Sequence, residues 1–487
     1  MEPFTHIKRV AIIGAGPAGL AAVKYLKAES AFSQIVVFEQ RARVGGVWNY
    51  TPAVPPSYQT DFSIPRTKPA SAVETPWRRT SSGCKRDEGE AIFPSPIYDG
   101  LETNIPHTLM NFSDKKFPEG TPLFPPFRVV GEYLSEYAAD IASYIRLGMQ
   151  VHSVESVRRE GNVEWEISYT DLRAEGEGGG GKGREVFDAV VVATGHYSDP
   201  YVPDIPGVRE WRERYGGDVT HSKYYKNPGS YAGKKVVIVG NSASGIDISR
   251  QISTVASHIL VSSKSPTTPV NPSSSSPSNL TPVPEITSLD PATRTLHFAD
   301  NTTSSDIDSI VFCTGYLYSY PFLTSLTPPA ITTEGVRTTN TYQHIFYHPC
   351  PSLAFLTLPQ RIVPFPVAEA QAAYVARVFA GRLGLPTRGE MEEWEAKRVK
   401  ERGESDFHSL GCPQDVAYIN MLYDLSVSVD GEETKGKTPP FWDEEKAWTR
   451  EMFPEIKRRA LQLGEKRSQV RCLQDLGFAF RKEEKHG

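Results

Sequence analysis

The sequence has few cysteines, and no two of them have the spacing of a redox or metal-binding pair. Of its 487 residues five are cysteine, and no two stand in a Cys-x-x-Cys arrangement. An odd, scattered set argues against a disulfide framework and a zinc site, and it offers no redox pair of the kind that disulfide reductases need. We therefore expect a reducing, cytoplasmic location and no metal site.

Long apolar runs and long basic runs are also missing. No apolar stretch approaches the length of a membrane span, and the first ten residues, MEPFTHIKRV, lack the apolar segment of a secretory signal. The formal net charge is −5 with both signs interspersed. The sequence therefore has no basic cluster of the kind that binds nucleic acid or an anionic membrane. A chain of this length with 39% hydrophobic residues predicts a soluble protein of two domains.

The stretch VAIIGAGPAGLAA, residues 10–22, has the pattern of a buried strand, a tight turn and a helix. Gly14 permits the turn, Gly16 leaves room for a pyrophosphate, and Gly19 lets the helix pack closely on the strand. The N-terminus of that helix offers free N–H groups to phosphates. A second apolar strand, IVVFE, ends on Glu39, whose carboxylate can accept hydrogen bonds from both ribose hydroxyls of an adenosine. This context indicates a dinucleotide site rather than a structural turn.

A second fingerprint follows in GKKVVIVGNSASGIDISRQI. Its strand, 235–239, is followed by Gly240, Ser242 and Gly245 and then by a helical pattern. The next strand, HILVSS, ends in two serines and a lysine at 262–264 where the first site has a carboxylate. Hydroxyls and a cation would accept a 2′-phosphate, which favours NADPH over NADH. The alternative is that the lysine is an ordinary exposed surface residue.

Each fingerprint is followed later by a buried strand that ends in Thr-Gly. FDAVVVATG ends in Thr194 and Gly195 and precedes a Pro-rich crossover typical of a domain boundary. The strand 307–312 precedes Thr314 and Gly315, and we expect it to return the chain to the first domain.

The predicted fold class is therefore α/β, with two Rossmann-like dinucleotide-binding domains, one inserted in the other. The first domain is predicted to comprise residues 1–200 and 311–487, including a C-terminal helical cap, and the inserted domain residues 201–310.

Five other features carry weaker signals. Residues 51–96 predict a long surface excursion with little regular structure and no chemistry, and 265–284 predict a low-complexity linker. The glycine run 175–183 predicts the flexible tip of a hairpin. It is not a nucleotide-binding loop, because no strand of phosphate-loop type precedes it. Asn104 lies before Ile-Pro, where an asparagine usually bonds its own backbone, and Trp48 after two glycines is by itself a core aromatic.

One further stretch is specific. YGGDVTHSKYY, residues 215–225, resembles the identifying motif of flavin-containing monooxygenases, Phe-x-Gly-x-x-x-His-Ser-x-x-Tyr/Phe. Gly217, His221, Ser222 and Tyr225 match it, and a tyrosine replaces the usual phenylalanine.

The resemblance extends in order through GAGPAG, GGVW, LETN, ATG, GNSASG, CTGY and the Pro-x-x-Glu-x-Gln that ends at Gln371. The resemblance covers roughly residues 8–386, and the chain is similar to the soluble fungal branch of the family.

This resemblance implies FAD at Gly14–Glu39 and NADPH at Gly240–Lys264. It further implies that FAD, reduced by NADPH, adds O2 as a C4a-hydroperoxide that oxygenates a small soft nucleophile through its sulfur or nitrogen, as in N,N-dimethylaniline monooxygenases. It also matches Asn104 with the family's active-site asparagine, and it gives His221 a structural role linking the two domains rather than an acid or base role.

Fingerprints and resemblance together predict one catalytic residue, Asn104, and a larger set that binds the cofactors. That set is Gly14, Gly16, Pro17, Ala18, Gly19, Glu39, Gly46, Val47, Trp48, Thr194, Gly195, Gly240, Ser242, Ala243, Ser244, Gly245, Ser262, Ser263, Lys264, Thr314, Gly315 and Gln371.

Two alternatives stay open at this point. A Baeyer–Villiger ketone monooxygenase shares both fingerprints, but its motif ends in Trp followed by Pro or Asp, whereas this one ends in Tyr225 and Lys226. A non-catalytic flavoprotein binder is the other, since fold alone does not establish activity. A homodimer is compatible with the sequence, which does not decide the oligomeric state.

Overall fold

The computed structural model describes residues 3–52, 63–80, 83–85, 90–159, 161–173, 181–264, 278–326, 330–429 and 436–482. Among these residues no helix is long and apolar enough to cross a membrane.

The described strands, in chain order, are β1 (Arg9–Ile13), β2 (Gln34–Glu39), β3 (Trp77–Thr80), β4 (Gly83–Lys85), β5 (Glu90–Ile92), β6 (Ile145–Leu147), β7 (Met149–Arg159), β8 (Asn162–Asp171), β9 (Lys182–Phe187), β10 (Ala189–Val192), β11 (Asp199–Pro200), β12 (Val219–His221), β13 (Lys235–Val239), β14 (His258–Ser262), β15 (Leu280–Val283), β16 (Ile286–Asp290), β17 (Thr295–Phe298), β18 (Thr303–Ser304), β19 (Ser309–Phe312), β20 (Tyr316–Leu317), β21 (Thr341–Tyr342), β22 (Phe346–Tyr347) and β23 (Leu353–Phe355).

The described α-helices are α1 (Pro17–Glu29), α2 (His107–Met110), α3 (Phe127–Tyr137), α4 (Val208–Tyr215), α5 (Ala243–Ile252), α6 (Pro364–Phe379), α7 (Arg388–Arg402), α8 (Gln414–Val427) and α9 (Glu444–Gln462).

The first fingerprint lies in a seven-stranded sheet of order β21-β22-β23-β10-β1-β2-β6. From β23 to β6 the strands are parallel, and Val10 pairs with Ala189 on one side and with Ile35 on the other. Strands buried on both faces read as continuous apolar runs, which is why VAII could be recognised from the sequence. The carboxyl ends of β1, β2, β10 and β23 therefore meet at one edge of the sheet.

Helices α1 and α6 cover one face of this sheet. Both are mostly buried, and polar contacts join them at two points. The Tyr25 hydroxyl donates to Glu369 Oε1 at 3.2 Å, and the buried Glu29 carboxylate lies 3.8 Å from Arg377 Nη1. Arg382, just after α6, donates to the same carboxylate at 2.7 Å. Buried carboxylates are tolerated because each has a donor or a counter-ion.

The second fingerprint lies in a separate five-stranded parallel sheet of order β12-β19-β13-β14-β15. Two expectations are wrong here. The strand Ser309–Phe312 lies inside this second sheet, next to β13, and does not return the chain to the first one. Residues 280–283, expected as linker, form β15 and pair with β14. Both errors concern pairing between distant segments, which local pattern does not encode.

The return crossing comes slightly later than expected. Strand β20, directly after Gly315, pairs antiparallel with β11, which follows the first Thr-Gly end. The chain therefore passes between the two sheets along two adjacent segments, 199–200 and 316–317.

The segment 51–96 has more regular structure than expected. Strands β3, β4 and β5 form a small antiparallel sheet in which β3 is central. Strands β7, β8 and β9 form the predicted hairpin region, while residues 174–180 of the glycine-rich tip and 265–277 of the linker lie outside the described residues.

The C-terminal part is helical, as expected. Helices α7, α8 and α9 follow α6, and α9 begins at an Asp443 cap whose side chain accepts from the Lys446 amide at 3.0 Å. These helices cover the first sheet's domain and bring α9 against the segment around residue 103.

Candidate functional site

The glycines of the first fingerprint are required by close contacts. Gly14 has φ +103°, and a Cβ there would lie 2.7 Å from the Ala193 carbonyl oxygen. A Cβ at Gly19 would lie 1.9 Å from the Gly14 carbonyl oxygen, so no larger residue fits the helix against the turn. Gly16 and Gly46 face each other, with the Cβ position of Gly46 only 3.0 Å from the Gly16 Cα. The turn and the GGVW segment thus form a cradle without side chains, as a pyrophosphate site needs.

Glu39 ends β2 beside this cradle. It is 5% exposed, its Oε2 accepts from the Ala15 amide at 2.7 Å, and its Oε1 accepts from the Arg41 amide at 2.8 Å. Burial raises the pKa of the Glu39 carboxyl, and the two amides act against that shift. Each carboxylate oxygen keeps further lone pairs for ribose hydroxyls, so the residues fit the adenosine half of FAD.

The second fingerprint repeats the same contacts. Gly240 has φ +102°, and a Cβ there would lie 2.6 Å from the Cys313 carbonyl oxygen. A Cβ at Gly245 would lie 2.0 Å from the Gly240 carbonyl oxygen. Helix α5 therefore begins closely packed against its turn, and the donor N–H groups of its first turn suit a second dinucleotide.

The end of β14 differs in part from the expectation. The Ser262 side chain is buried, and its hydroxyl donates to the Pro284 carbonyl at 2.9 Å, so it serves the main chain. The Lys264 side chain is 82% exposed, and its Nζ lies 3.5 Å from Glu285 Oε1. The cation is therefore available at the rim of the site, next to a carboxylate that the sequence pattern did not reveal.

One cavity of about 2290 Å³ joins the two fingerprints. It brings together most of the predicted site residues. Those that line it are Gly14, Gly16, Pro17, Ala18, Glu39, Gly46, Val47, Trp48, Asn104, Thr194, Gly195, Gly240, Ser242, Ala243, Ser244, Ser262, Ser263, Lys264, Thr314 and Gly315.

Three predicted residues are not in the lining. Gly19 and Gly245 pack behind their turns, where they permit the helix to approach. Gln371 is fully buried in α6, its Oε1 accepts from the Thr357 amide at 2.6 Å, and its Nε2 donates to the Tyr418 hydroxyl at 3.0 Å. Both ends of its amide are used, so Gln371 positions the Thr357 turn and does not reach the cavity.

Asn104 lies in the cavity wall in an exposed position. Its side-chain amide makes no hydrogen bond with any residue of the described ranges, whereas the neighbouring Thr103 hydroxyl donates to the Ile105 carbonyl at 2.8 Å. The usual reason for an asparagine in a turn, a bond to its own backbone, is therefore absent here. Its donor and acceptor remain available to a molecule in the cavity.

His221 holds the link between the domains. Its ring is fully buried, Nδ1 accepts from the Lys223 amide at 3.1 Å, and Nε2 donates to the Gly315 carbonyl at 3.0 Å. Burial lowers the pKa of His221 to about 3. A neutral imidazole with both nitrogens bonded to main chain fits the structural role that was expected.

Several residues of the cavity were not identified from the sequence. Residues 70 and 72–77 of the excursion line it, so a segment expected to lie on the surface forms part of the wall. His196 follows the first Thr-Gly and is 8% exposed, and neither of its ring nitrogens has a hydrogen-bond partner among the described residues. Burial lowers the pKa of His196 to about 4. An unpaired buried imidazole costs stability, which makes it a candidate contact for a bound molecule.

Helix α9 provides a further wall that the sequence did not indicate. Its residues at positions 450, 453, 454, 457, 458 and 461 line the cavity, a spacing that places them on one helical face. Lys457 Nζ donates to the Thr103 carbonyl at 2.8 Å, beside Asn104, and burial lowers the pKa of Lys457 to about 8. Among the described residues no cluster of three or more His, Cys, Asp or Glu side chains is placed to hold a metal ion.

Comparison with known proteins agrees with this geometry. The family described as "Flavin-binding monooxygenase-like" matches residues 77–276 and 283–436, and an "NAD(P)-binding Rossmann-like domain" matches residues 12–64.

Three individual proteins are similar to this chain over most of their own length. The thiol-specific monooxygenase of Saccharomyces cerevisiae is 32% identical over 391 residues, 78% of this chain and 79% of that protein. The flavin-containing monooxygenase FMO GS-OX-like 9 of Arabidopsis thaliana is 34% identical over 79% of this chain and 78% of its own. The solved structure of S-allyl-L-cysteine S-oxygenase from Allium sativum has a TM-score of 0.73 at 28% identity and covers 98% of both chains.

Proposed function

This chain belongs to the flavin-binding monooxygenase-like family and is an FAD- and NADPH-dependent enzyme, and we propose that it oxygenates a soft nucleophilic atom, sulfur or nitrogen, of a small molecule. NADPH supplies two electrons, one oxygen atom of O2 goes to the nucleophile, and the other leaves as water with two protons. Bound FAD would take the hydride and activate O2, which is chemistry that no side chain provides.

The single cavity that joins both fingerprints carries this proposal. Hydride transfer requires the nicotinamide and the flavin to share one space, and the cavity is lined by the Gly14 turn, the Gly240 turn and Asn104 together. The free amide of Asn104 can donate to an oxygen atom or accept from the nicotinamide amide without changing its charge. In this proposal it orients the reacting groups and excludes water from one position.

The cofactor-binding roles are part of the same proposal. The Gly14 turn and Glu39 hold FAD, and the Gly240 turn with Lys264 holds NADPH. We propose the domain division 1–200 and 311–487 for FAD and 201–310 for NADPH, with the correction that the strand Ser309–Phe312 is wholly part of the inserted domain. A cytoplasmic location and a homodimer are likewise proposals, to be tested by fractionation and by light scattering.

Sulfur is the first substrate atom to test. Two similar proteins are named for sulfur chemistry, the thiol-specific monooxygenase of yeast and the S-allyl-L-cysteine S-oxygenase of garlic. The end of the motif, Tyr225 and Lys226, differs from that of Baeyer–Villiger enzymes and serves a structural contact here. Lys226 is buried and donates to the Ser95 and Ile97 carbonyls at 2.7 and 2.8 Å, so the end of the motif fixes a main-chain segment.

The test uses purified holoenzyme with a panel of thiols, sulfides, tertiary amines and cyclic ketones. We expect substrate-dependent NADPH oxidation and O2 consumption in equal amounts, with a product heavier by one oxygen atom on sulfur or nitrogen. Labelled O2 must place its label in the product. A lactone from the ketone arm with no heteroatom product would indicate the Baeyer–Villiger alternative, and bound FAD without NADPH-dependent O2 consumption would indicate a non-catalytic binder.

A further inference from the structure

The end of the cavity formed by α9 and the loop 357–364 has a distinct charge. Four cationic side chains line it, those of Arg361, Arg450, Lys457 and Arg458. The carboxylates that line the cavity are Glu39, Glu74, Asp199, Asp247 and Glu285, and of these Asp247 interacts electrostatically with Lys457. The loop 357–364, which carries Arg361, contributes no carboxylate to the lining.

Three of these four cations are already committed to partners. Arg450 Nε donates to the buried Asp415 at 2.6 Å, and Arg458 Nε donates to Glu455 at 2.7 Å. Lys457 donates to the Thr103 carbonyl. Arg361 is exposed, and its guanidinium has no hydrogen bond or ion pair with any residue of the described ranges. It is the cation at this end that can accept a new anionic partner.

The main chain holds Arg361 in a fixed and uncommon conformation. Arg361 has φ +58°, a left-handed conformation that residues with a Cβ rarely adopt. Its carbonyl accepts from Arg450 Nη2 at 2.9 Å, and Arg450 is itself buried and paired with Asp415. At the other end of the loop Thr357, with φ +57°, is held by the Gln371 amide. Strained backbone that surrounding contacts maintain is typical of functional loops.

Helix α9 also relates Arg361 to Asn104. Arg450 contacts the Arg361 carbonyl, and Lys457, on the same face, contacts the Thr103 carbonyl beside Asn104. Seven residues of helix correspond to about 10 Å along the axis. The Arg361 side chain is several bonds long. Its guanidinium can therefore approach the anionic group of a substrate whose reacting atom lies near Asn104, if the two groups of the substrate are a few bonds apart.

We propose that Arg361 binds the carboxylate of the substrate, so that the enzyme selects soft nucleophiles, sulfides or thiols first, that carry a carboxylate a few bonds from the reacting atom. This inference rests on the proposed function and specifies its substrate class. A guanidinium is suited to this task because its parallel N–H donors match the two oxygens of a carboxylate.

The experiment compares two sulfides that differ in one group. The holoenzyme oxidises 3-(methylthio)propanoate or the uncharged 3-(methylthio)propan-1-ol, and sulfoxide formation gives kcat/KM for each. We expect the wild type to favour the carboxylate at least tenfold. Arg361→Gln should lower kcat/KM for the carboxylate about tenfold, mainly through KM, and leave the alcohol within twofold. Arg361→Lys should retain part of the preference.

The local control is Arg458→Gln, which removes a charge at the same end that Glu455 already neutralises. It should change both sulfides less than twofold. An equal loss in Arg458→Gln would overturn the assignment to Arg361, as would a raised KM for NADPH in Arg361→Gln, since that would place the arginine on the nucleotide. If both sulfides were oxidised equally well by wild type and variant, the inference would be wrong while the proposed function stood. If neither gave a sulfoxide while an uncharged thiol or sulfide of the panel was oxygenated, this inference would be wrong and the proposed function would stand. If no thiol or sulfide of the panel was oxygenated, the oxygenation of sulfur would be contradicted as well.

Discussion

At the scale of single residues, Asn104 is distinguished by a side-chain amide that no residue of the described ranges hydrogen-bonds. The segment around it is otherwise well bonded, with the Thr103 amide donating to the Pro125 carbonyl at 3.0 Å. We expect Asn104→Ala to fold, to retain FAD and to be reduced by NADPH at the normal rate, because no structural contact is lost. Removal of a fixed hydrogen-bond donor near developing charge lowers a rate by about 100-fold or more in comparable sites.

The measurement for Asn104→Ala separates oxygen consumption from product. We expect NADPH oxidation to continue while hydrogen peroxide replaces oxygenated product, so that coupling falls. The anaerobic reduction rate of the bound flavin serves as the internal control. Normal product yield with full coupling would contradict the role given to Asn104.

Lys264 tests the second cofactor at the same scale. Its ammonium is exposed and lies 3.5 Å from the Glu285 carboxylate, so a 2′-phosphate would have to compete with that carboxylate. We expect Lys264→Ala to raise KM for NADPH about three- to tenfold, a modest effect because the pair is solvated, with little change for NADH. Glu285→Gln is the matched variant and should lower KM for NADPH. Equal shifts for both nucleotides would remove the 2′-phosphate role, and the effect should shrink at high salt.

At the scale of elements, the two strand–turn–helix units are built on the same contacts. In each, the first glycine has a positive φ and faces a carbonyl from a neighbouring strand end, and the last glycine packs on the carbonyl of the first. This repetition explains why both units could be predicted from a few residues: the constraints lie within one short segment. The positions of β15 and β19 could not be predicted in this way, because strand order depends on partners far along the chain.

The two units allow a matched pair of substitutions. Gly19→Ala would place a Cβ 1.9 Å from the Gly14 carbonyl oxygen, and Gly245→Ala would place one 2.0 Å from the Gly240 carbonyl oxygen. In both cases the obstacle is backbone, which cannot move aside without opening the turn. We expect Gly19→Ala to lose FAD, seen as loss of flavin absorbance in the purified protein.

Gly245→Ala should give the complementary result. It should keep FAD and its reduction by dithionite but lose reduction by NADPH, because only the second turn is disturbed. Loss of FAD from Gly245→Ala, or retention of FAD with full NADPH activity in Gly19→Ala, would contradict the assignment of the two cofactors to the two units.

At the scale of the whole molecule, the cavity is assembled from segments that no local pattern connects. Asn104 and the glycine turns could be found from their motifs, but α9 reaches the site through contacts between distant segments, such as that between Lys457 and Thr103, 354 residues apart in sequence. His196 follows a recognisable Thr-Gly, yet its burial without partners is visible only once β10, β23 and the loop after β23 are in place. The sequence thus identified the glycine turns that line the cavity and missed the walls formed by α9 and by residues 72–77.

Buried histidines make the stability of the whole molecule sensitive to acid. His196, His221, His344 and His408 are all less than a tenth exposed, and Nδ1 of His344 lies 2.9 Å from Nδ1 of His408. Burial lowers the pKa of all four, to about 4 for His196, to about 3 for His221 and well below the ordinary value for the other two. In the unfolded chain these histidines have an ordinary pKa near 6.5 and bind protons below that pH. The folded state keeps them neutral over the same pH range.

The direction of the pH effect follows from this difference. Below about pH 6.5 the unfolded state takes up protons that the folded state refuses, so the free energy of unfolding falls as the pH falls. Each such histidine costs about 2 kcal/mol between pH 7.5 and pH 5. We expect the urea midpoint to drop steeply as the pH falls over this interval. His196→Phe is the informative variant, because phenylalanine fills the same packed position and neither ring nitrogen of His196 has a hydrogen-bond partner among the described residues. Its loss of unfolding free energy between pH 7.5 and 5 should be smaller than that of the wild type by about 2 kcal/mol. An unchanged slope in this variant would mean that His196 is protonated in the folded protein, and that its burial is less complete than the packing around Tyr318 indicates.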